Sequence, residues 1–175
     1  MTSAPCAPPS ITVLVNNAAR DDRHQLEDVT PEYWDERMAV NLRHQFFAAQ
    51  AVFPMMKQAG HGSVINMGSV SWMVGQGGMP AYTTAKSAVM GLTRALARDM
   101  GPFNIRVNSI APGWIMTERQ IKLWLTPEGE RELMARQCLK RKLEPAEIAR
   151  VCLFLGSDDS SAMTNQTYVA DGGWV

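Results

Sequence analysis

Apolar positions along the chain follow two alternating rhythms. Ile11-Thr12-Val13-Leu14-Val15 is a short β-branched run stopped by Asn16-Asn17-Ala18-Ala19. Unbroken apolar runs of this length predict strands of the kind buried in parallel sheets. Ser63-Val64-Ile65-Asn66-Met67, Ile105-Arg106-Val107-Asn108-Ser109-Ile110 and Thr167-Tyr168-Val169-Ala170 read the same way. Helical periodicity fills the spaces between. Thr30-Pro31-Glu32 supplies an N-cap and a first-turn proline for a helix through Trp34, Met38, Asn41 and Phe46 towards Met56. Gly60 and Gly62 are expected to end that helix, and Pro54 to shorten or kink it. Ala85, Val89, Leu92, Leu96 and Met100 recur at helical spacing and form an apolar stripe. Between Thr117 and Leu143 the pattern is helical but interrupted, with a start at Thr126-Pro127-Glu128, and Pro145 opens a last helix through Leu155. Strands alternating with helices predict an α/β fold around a parallel sheet, whose sites lie at the carboxyl ends of the strands.

Composition narrows the class without changing that picture. The 175 residues are 46% hydrophobic and 19% charged, as expected for a single globular domain with a substantial core. Lys+Arg and Asp+Glu balance at 17 each, so no basic field favours nucleic acid or an acidic membrane surface. The expected partner is a small molecule in a pocket. Cys6, Cys138 and Cys152 are odd in number and lack ligand spacing, which argues for reduced thiols without disulfide or zinc. His24, His44 and His61 read as surface residues, and Lys140-Arg141-Lys142 as a solvated charge run. Residues 1–10 are proline-rich, with neither a cationic start nor an apolar run, and read as an extended tail. Residues 11–175 form the domain, and the default location is the cytoplasm.

The chemistry collects at the predicted strand ends. Tyr82 and Lys86 stand four apart at the start of a helix, hence on one helix face, and Ser69 closes the preceding strand. An ammonium near a phenol favours the ionised phenol, which would make Tyr82 an acid or base near neutral pH. Asn41 offers an amide, and Asn16-Asn17, Pro112-Gly113 and Asp171-Gly172-Gly173 mark other strand ends. Ser69 lacks a His/Asp partner, so serine-hydrolase chemistry is poorly supported.

In order and spacing these motifs resemble the short-chain dehydrogenase/reductase family over nearly all of the chain from Ile11 onward. Leu14-Val15-Asn16-Asn17-Ala18-Ala19 is similar to the family's N-N-A-G segment, with Ala19 in place of the glycine. Asn41, Ser69, Tyr82 and Lys86 match its catalytic tetrad. Pro112-Gly113-Trp114-Ile115-Met116-Thr117 matches its P-G loop and Asp171-Gly172-Gly173 its D-G-G. Asn165-Gln166 stands where Gly-Gln is usual. The resemblance implies hydride transfer between NAD or NADP and an alcohol or carbonyl. Tyr82 would be the general acid/base, with Lys86 lowering its pKa and bonding the nicotinamide ribose. Ser69 would hold the substrate oxygen and Asn41 a proton-relaying water. Asn17 and Ala18 would lie on the adenosine side, and Pro112, Gly113, Ile115 and Thr117 by the nicotinamide. A sugar or polyol is the expected substrate, with Trp72, Gln76 and Trp114 as an aromatic and polar wall. A homo-oligomer is implied.

The glycine-rich strand–turn–helix that holds the pyrophosphate is not found in these 175 residues, and Gly75-Gln76-Gly77-Gly78 has the wrong flanks for it. The expectation is therefore the C-terminal part of a Rossmann-like doubly wound sheet, about four strands, starting at the family's fourth strand. Absent segments would amount to roughly 60–80 residues at about 30 per βαβ unit. Ile11–Val15 becomes an edge strand on this reading, and NAD(P) binding is impaired. The alternative function is a catalytically silent chain that at most associates with full-length subunits.

Overall fold

The structure, a computed structural model, describes residues 11–175; the expected tail at 1–10 and Cys6 lie outside the described residues. Four parallel strands stand in sequence order: β1 (Val13–Asn16), β2 (Gly62–Met67), β3 (Ile105–Pro112) and β4 (Thr167–Ala170). Between β1 and β2 run α1 (Pro31–Met38), a π-helical turn (Ala39–Arg43) and α2 (His44–Ala59). Helix α3 (Pro80–Met100) joins β2 to β3, and α4 (Glu118–Leu123), α5 (Pro127–Arg136) and α6 (Pro145–Gly156) lie between β3 and β4.

Alternation along the strands divides the apolar residues between two cores, one on each face of the sheet. Val64 and Val107 face Ala49, Val52 and Met56 of α2 and Leu96, Ala97 and Met100 of α3. Ile65, Met67 and Ile110 face the other way, onto Ile148 and Leu155 of α6. Helices on both faces of a parallel sheet make this a Rossmann-like doubly wound arrangement of four strands. The central strands β2 and β3 are buried. At the edge, β1 pairs only with β2 among the described strands, and Val13 and Val15 are 42% and 41% exposed.

Helix boundaries follow local chemistry closely. Thr30 Oγ1 accepts the Tyr33 N–H, Thr126 Oγ1 the Gly129 N–H and Thr117 Oγ1 the Gln120 N–H, capping α1, α5 and α4. Two expectations for the long helix need correction. It is not continuous, because the turn at Ala39–Arg43 widens to i→i+5 bonding, with the His44 N–H donating to the Ala39 carbonyl. Pro54 does not stop α2, which continues to Ala59, and Gly62 opens β2 instead of closing the helix. The charge run is exposed but engaged: Lys140 Nζ caps the carbonyl end of α5, and Arg141 forms a two-pronged pair with Glu147 at 2.7 and 2.9 Å.

Both departures from the family's sequence pattern have a physical account. Asn165 adopts φ +64°, the left-handed region that glycine enters freely and asparagine tolerates best among the other residues. Ala19 is not among the positive-φ residues, so its methyl costs no backbone strain. Gly113 is different, because a Cβ there would sit 2.7 Å from Asp171 Cα, a backbone atom that cannot yield. Gly113→Ala is expected to lower stability by on the order of 1 kcal/mol or more through overpacking, read as a lower midpoint in urea.

Candidate active site

The carboxyl ends of β2 and β3 open onto a cavity of about 670 Å³, lined by Ser69, Tyr82, Gly113, Ile115 and Thr117 among others. Residues singled out from separate stretches of the sequence thus meet in one place. Strand β2 delivers Ser69 and α3 presents Tyr82 from its first turn, while the β3 end contributes the rest. Pro112 lies just behind, its carbonyl accepting the Val70 N–H at 3.1 Å. The Ser69 Oγ accepts the Ser71 N–H at 3.1 Å, which leaves the hydroxyl proton available for the cavity.

Lys86 stands one helical turn behind Tyr82 and is 2% exposed. Its Nζ donates to the Met67 carbonyl at 2.7 Å and lies 5.7 Å from the centre of the Tyr82 ring. Burial pushes the Lys86 ammonium down to about 8. Burial also pushes the Tyr82 phenol up to about 12, with the Ser69 hydroxyl pulling part of the way back. The expected direction for Tyr82 is therefore reversed. The helix spacing does put both groups on one face, but the ammonium passes under the ring to a carbonyl, and desolvation outweighs its field.

Asn41 also differs from expectation. Its Oδ1 accepts the Arg20 N–H at 2.9 Å and its Nδ2 donates to the Arg37 carbonyl at 3.0 Å, so the side-chain amide ties the loop after β1 to α1. The Asn41 carbonyl, within the π-helical turn, accepts from Gln45 Nε2 at 3.3 Å. Gln45 also reaches the Met67 carbonyl at 3.4 Å, the same atom that holds Lys86. A second buried chain runs alongside, from Asn16 Nδ2 to Asn66 Oδ1 at 2.8 Å and from Asn66 Nδ2 to Thr93 Oγ1 at 3.0 Å. Gln45, Asn66 and Thr93 were not singled out from sequence; an asparagine inside an otherwise apolar strand was the available signal for Asn66.

Asn17 and Ala18 are exposed at the end of β1, outside the cavity. Trp72 does not line the cavity either; Trp124 and Trp174 do, together with Trp114 and Gln76. Trp114 Nε1 donates to Gln120 Oε1 at 2.8 Å, and Gln120 Nε2 donates to Asp21 at 2.6 Å. Arg119 bonds Asp22 at 2.7 Å, so α4 is latched across the cavity to the loop after β1. His61 is exposed as expected, whereas His24 and His44 are half-buried. His24 Nδ1 contacts the Tyr33 hydroxyl at 3.0 Å. Desolvation depresses the pKa of His44.

A buried ammonium with three N–H groups and one acceptor, beside a phenol and a serine hydroxyl at a cavity wall, suits the hydroxyls of a ribose and a substrate oxygen. The chemistry of these donors fits the nicotinamide-ribose end of a dinucleotide. For the pyrophosphate end, no glycine-rich strand–turn–helix occurs among the described residues.

A family model described as enoyl-(acyl carrier protein) reductase matches residues 7–175. Together with the fold and the site, this defines the class: the chain belongs to the short-chain dehydrogenase/reductase family. It is 54% identical over 164 residues to the probable galactose dehydrogenase GalD of Rhizobium meliloti, covering 94% of this chain and 64% of that protein. Identity to the D-xylose 1-dehydrogenase of Caulobacter vibrioides is also 54%, covering 94% and 66%. The fold matches a gluconate 5-dehydrogenase from Burkholderia cenocepacia, solved with NADP and tartrate, at a TM-score of 0.88 and 33% identity, over 94% and 65% of the two chains. The chain thus spans about two thirds of the length of these relatives.

Proposed function

We propose that this chain carries the catalytic part of an NAD(P)-dependent oxidoreductase that interconverts an alcohol and a carbonyl on a sugar or polyol. The observation that carries this reading is the meeting of Ser69 and Tyr82 at one cavity, with buried Lys86 directly behind the Tyr82 ring. A bound nicotinamide supplies the hydride acceptor or donor. Ser69, its oxygen already held by the Ser71 N–H, donates its proton to the substrate oxygen. Tyr82 Oη gives that oxygen a proton in carbonyl reduction and removes one in alcohol oxidation. Lys86, with two N–H groups beyond its bond to Met67, holds the ribose hydroxyls and keeps a positive charge beneath the phenol. Gly113, Ile115 and Thr117 bound the nicotinamide side, and Asn17 and Ala18 the adenosine side. The Asn41 carbonyl, rather than its amide, is the acceptor for a proton-relaying water. Both 54%-identical relatives are sugar dehydrogenases by name, which supports the sugar class.

A homo-oligomer is part of the proposal, supported by Phe46 and Phe47, exposed on α2 and packed edge to face. Among the described residues no helix is long and apolar enough to cross a membrane.

With no phosphate turn among the described residues, the 175-residue chain is expected to bind NADH and NADPH weakly. Calorimetric titration checks this, and micromolar affinity for either would sink it. Joining the N-terminal third of the D-xylose relative ahead of Ile11 is expected to restore reduction of NAD(P) by an aldose. A folded chimera that binds cofactor but turns over no alcohol would favour the second reading, a catalytically silent chain that at most joins full-length subunits.

A further inference from the structure

Arg23 has no part in the proton and hydride chemistry, yet it lines the same cavity as Tyr82. It is half-buried on the loop after β1, with its guanidinium 5.2 Å from the centre of the Trp124 ring. Among the described residues its side-chain hydrogen bonding is limited to Nη1 on Met79 Sδ at 3.8 Å, and a thioether is a weak acceptor. It forms no ion pair with any described residue. The nearby acid Asp21 is already engaged, by Gln120 Nε2 at 2.6 Å and Arg119 Nε at 3.5 Å, and acts on Arg23 only through space. Burial lowers the pKa of Arg23 from its ordinary value, a sign that water does not fully solvate it. Five N–H groups in a rigid fork thus sit at a cavity wall with most of their acceptors unassigned.

A carboxylate or a pair of adjacent hydroxyls can supply those acceptors, and the charges around the cavity decide between them. Its lining contains two acids, Asp21 and Glu132, and two guanidinium groups, Arg23 and Arg136. This balance gives no net positive field to draw in an anion. The indoles of Trp114, Trp124 and Trp174 line the same space and offer flat apolar faces to the C–H side of a ring.

We propose that Arg23 selects the substrate, a neutral ring with adjacent hydroxyls whose oxygens accept from the guanidinium while another oxygen meets Ser69 and Tyr82. The proposal rests on the oxidoreductase reading for that last contact, but the recognition itself needs no cofactor. Three tryptophans at the cavity make intrinsic fluorescence the readout, with D-xylose, D-xylonate and cyclohexanol titrated into the 175-residue chain and its Arg23→Ala and Arg23→Lys variants.

Saturable binding of xylose is expected, with xylonate and cyclohexanol at least about tenfold weaker. Arg23→Ala should weaken xylose by roughly 10- to 100-fold, the loss of one or two hydrogen bonds to a charged donor. Arg23→Lys should fall between, since lysine keeps the charge and loses the fork. Absence of xylose binding to the wild type would overturn the proposal, as would unchanged affinity in either variant with a wild-type melting temperature. Xylonate binding tighter than xylose in an Arg23-dependent way would overturn it too, and would mark an anion site. Arg23→Lys carries the decision if the alanine variant does not fold. Xylose binding without turnover in the chimera would defeat the oxidoreductase reading and leave the role of Arg23 standing; turnover of cyclohexanol without xylose binding would do the reverse.

Discussion

Tyr82→Phe in the cofactor-competent chimera is expected to lower kcat for alcohol oxidation by at least about 10³-fold, within the range of a lost general acid/base. The phenyl ring still fills the same place on α3, so substrate affinity by fluorescence and the unfolding midpoint should hardly move. The reason for so large a kinetic effect is that, on the proposed mechanism, this hydroxyl transfers the proton at the cavity, with a buried cation behind it. With its pKa raised to about 12, Tyr82 is protonated at neutral pH and ready to serve as the acid in carbonyl reduction. In alcohol oxidation it must act as base, so that rate should climb with pH while the reductive rate does not. Oxidation in Tyr82→Phe within tenfold of wild type would remove Tyr82 from the chemistry.

Lys86 should make the 175-residue chain more stable as pH rises from 7 to 9.5. Its folded pKa of about 8 lies below the ordinary lysine value of 10.5, so between these limits the unfolded chain binds the extra proton. Folding in this range releases that proton, so raising the pH favours the folded chain. Over pH 7 to 9.5 the gain from this one group is about 2 kcal/mol, read as a higher midpoint in urea unfolding. Lys86→Met keeps much of the volume and removes the titration, so its stability should lose this rise. Above pH 10 Tyr82 works in the opposite sense, because its folded pKa of about 12 exceeds its unfolded one and ionisation then favours the unfolded chain. Equal slopes in wild type and Lys86→Met would show that the ammonium is better solvated than its burial implies.

Elements were legible wherever a local rule dominates. Thr30-Pro31, Thr126-Pro127 and the β-branched runs each carry their structure within a few residues, and the helices and strands lie close to those marks. The interior of a long element was harder to read. Nothing in Ala39-Val40-Asn41-Leu42-Arg43 signals a π-helical turn, because that turn answers to what packs against it: the loop at Arg20 above and Gln45 below. Trp72 and Trp124 exchanged roles for a similar reason. Trp72 is near Ser69 in sequence but does not line the cavity, whereas α4, latched through Arg119 and Asp22, carries Trp124 to it from far along the chain.

By itself the sequence determined the order of strands and helices and the identity of the groups at the strand ends, Ser69, Tyr82 and Lys86 among them. These depend on short-range geometry: the two-residue repeat of a strand, the four-residue reach of a helix and the caps that end it. Only the tertiary structure decided what those groups are like. Burial sets Tyr82 and Lys86 on pKa values opposite to the expected coupling, and the two bonds to Arg20 and Arg37 occupy the Asn41 amide. The cavity likewise leaves Arg23 without an acidic partner among the described residues. Desolvation and partner choice arise from residues far apart in the chain, so they exist only once the sheet has brought those residues together.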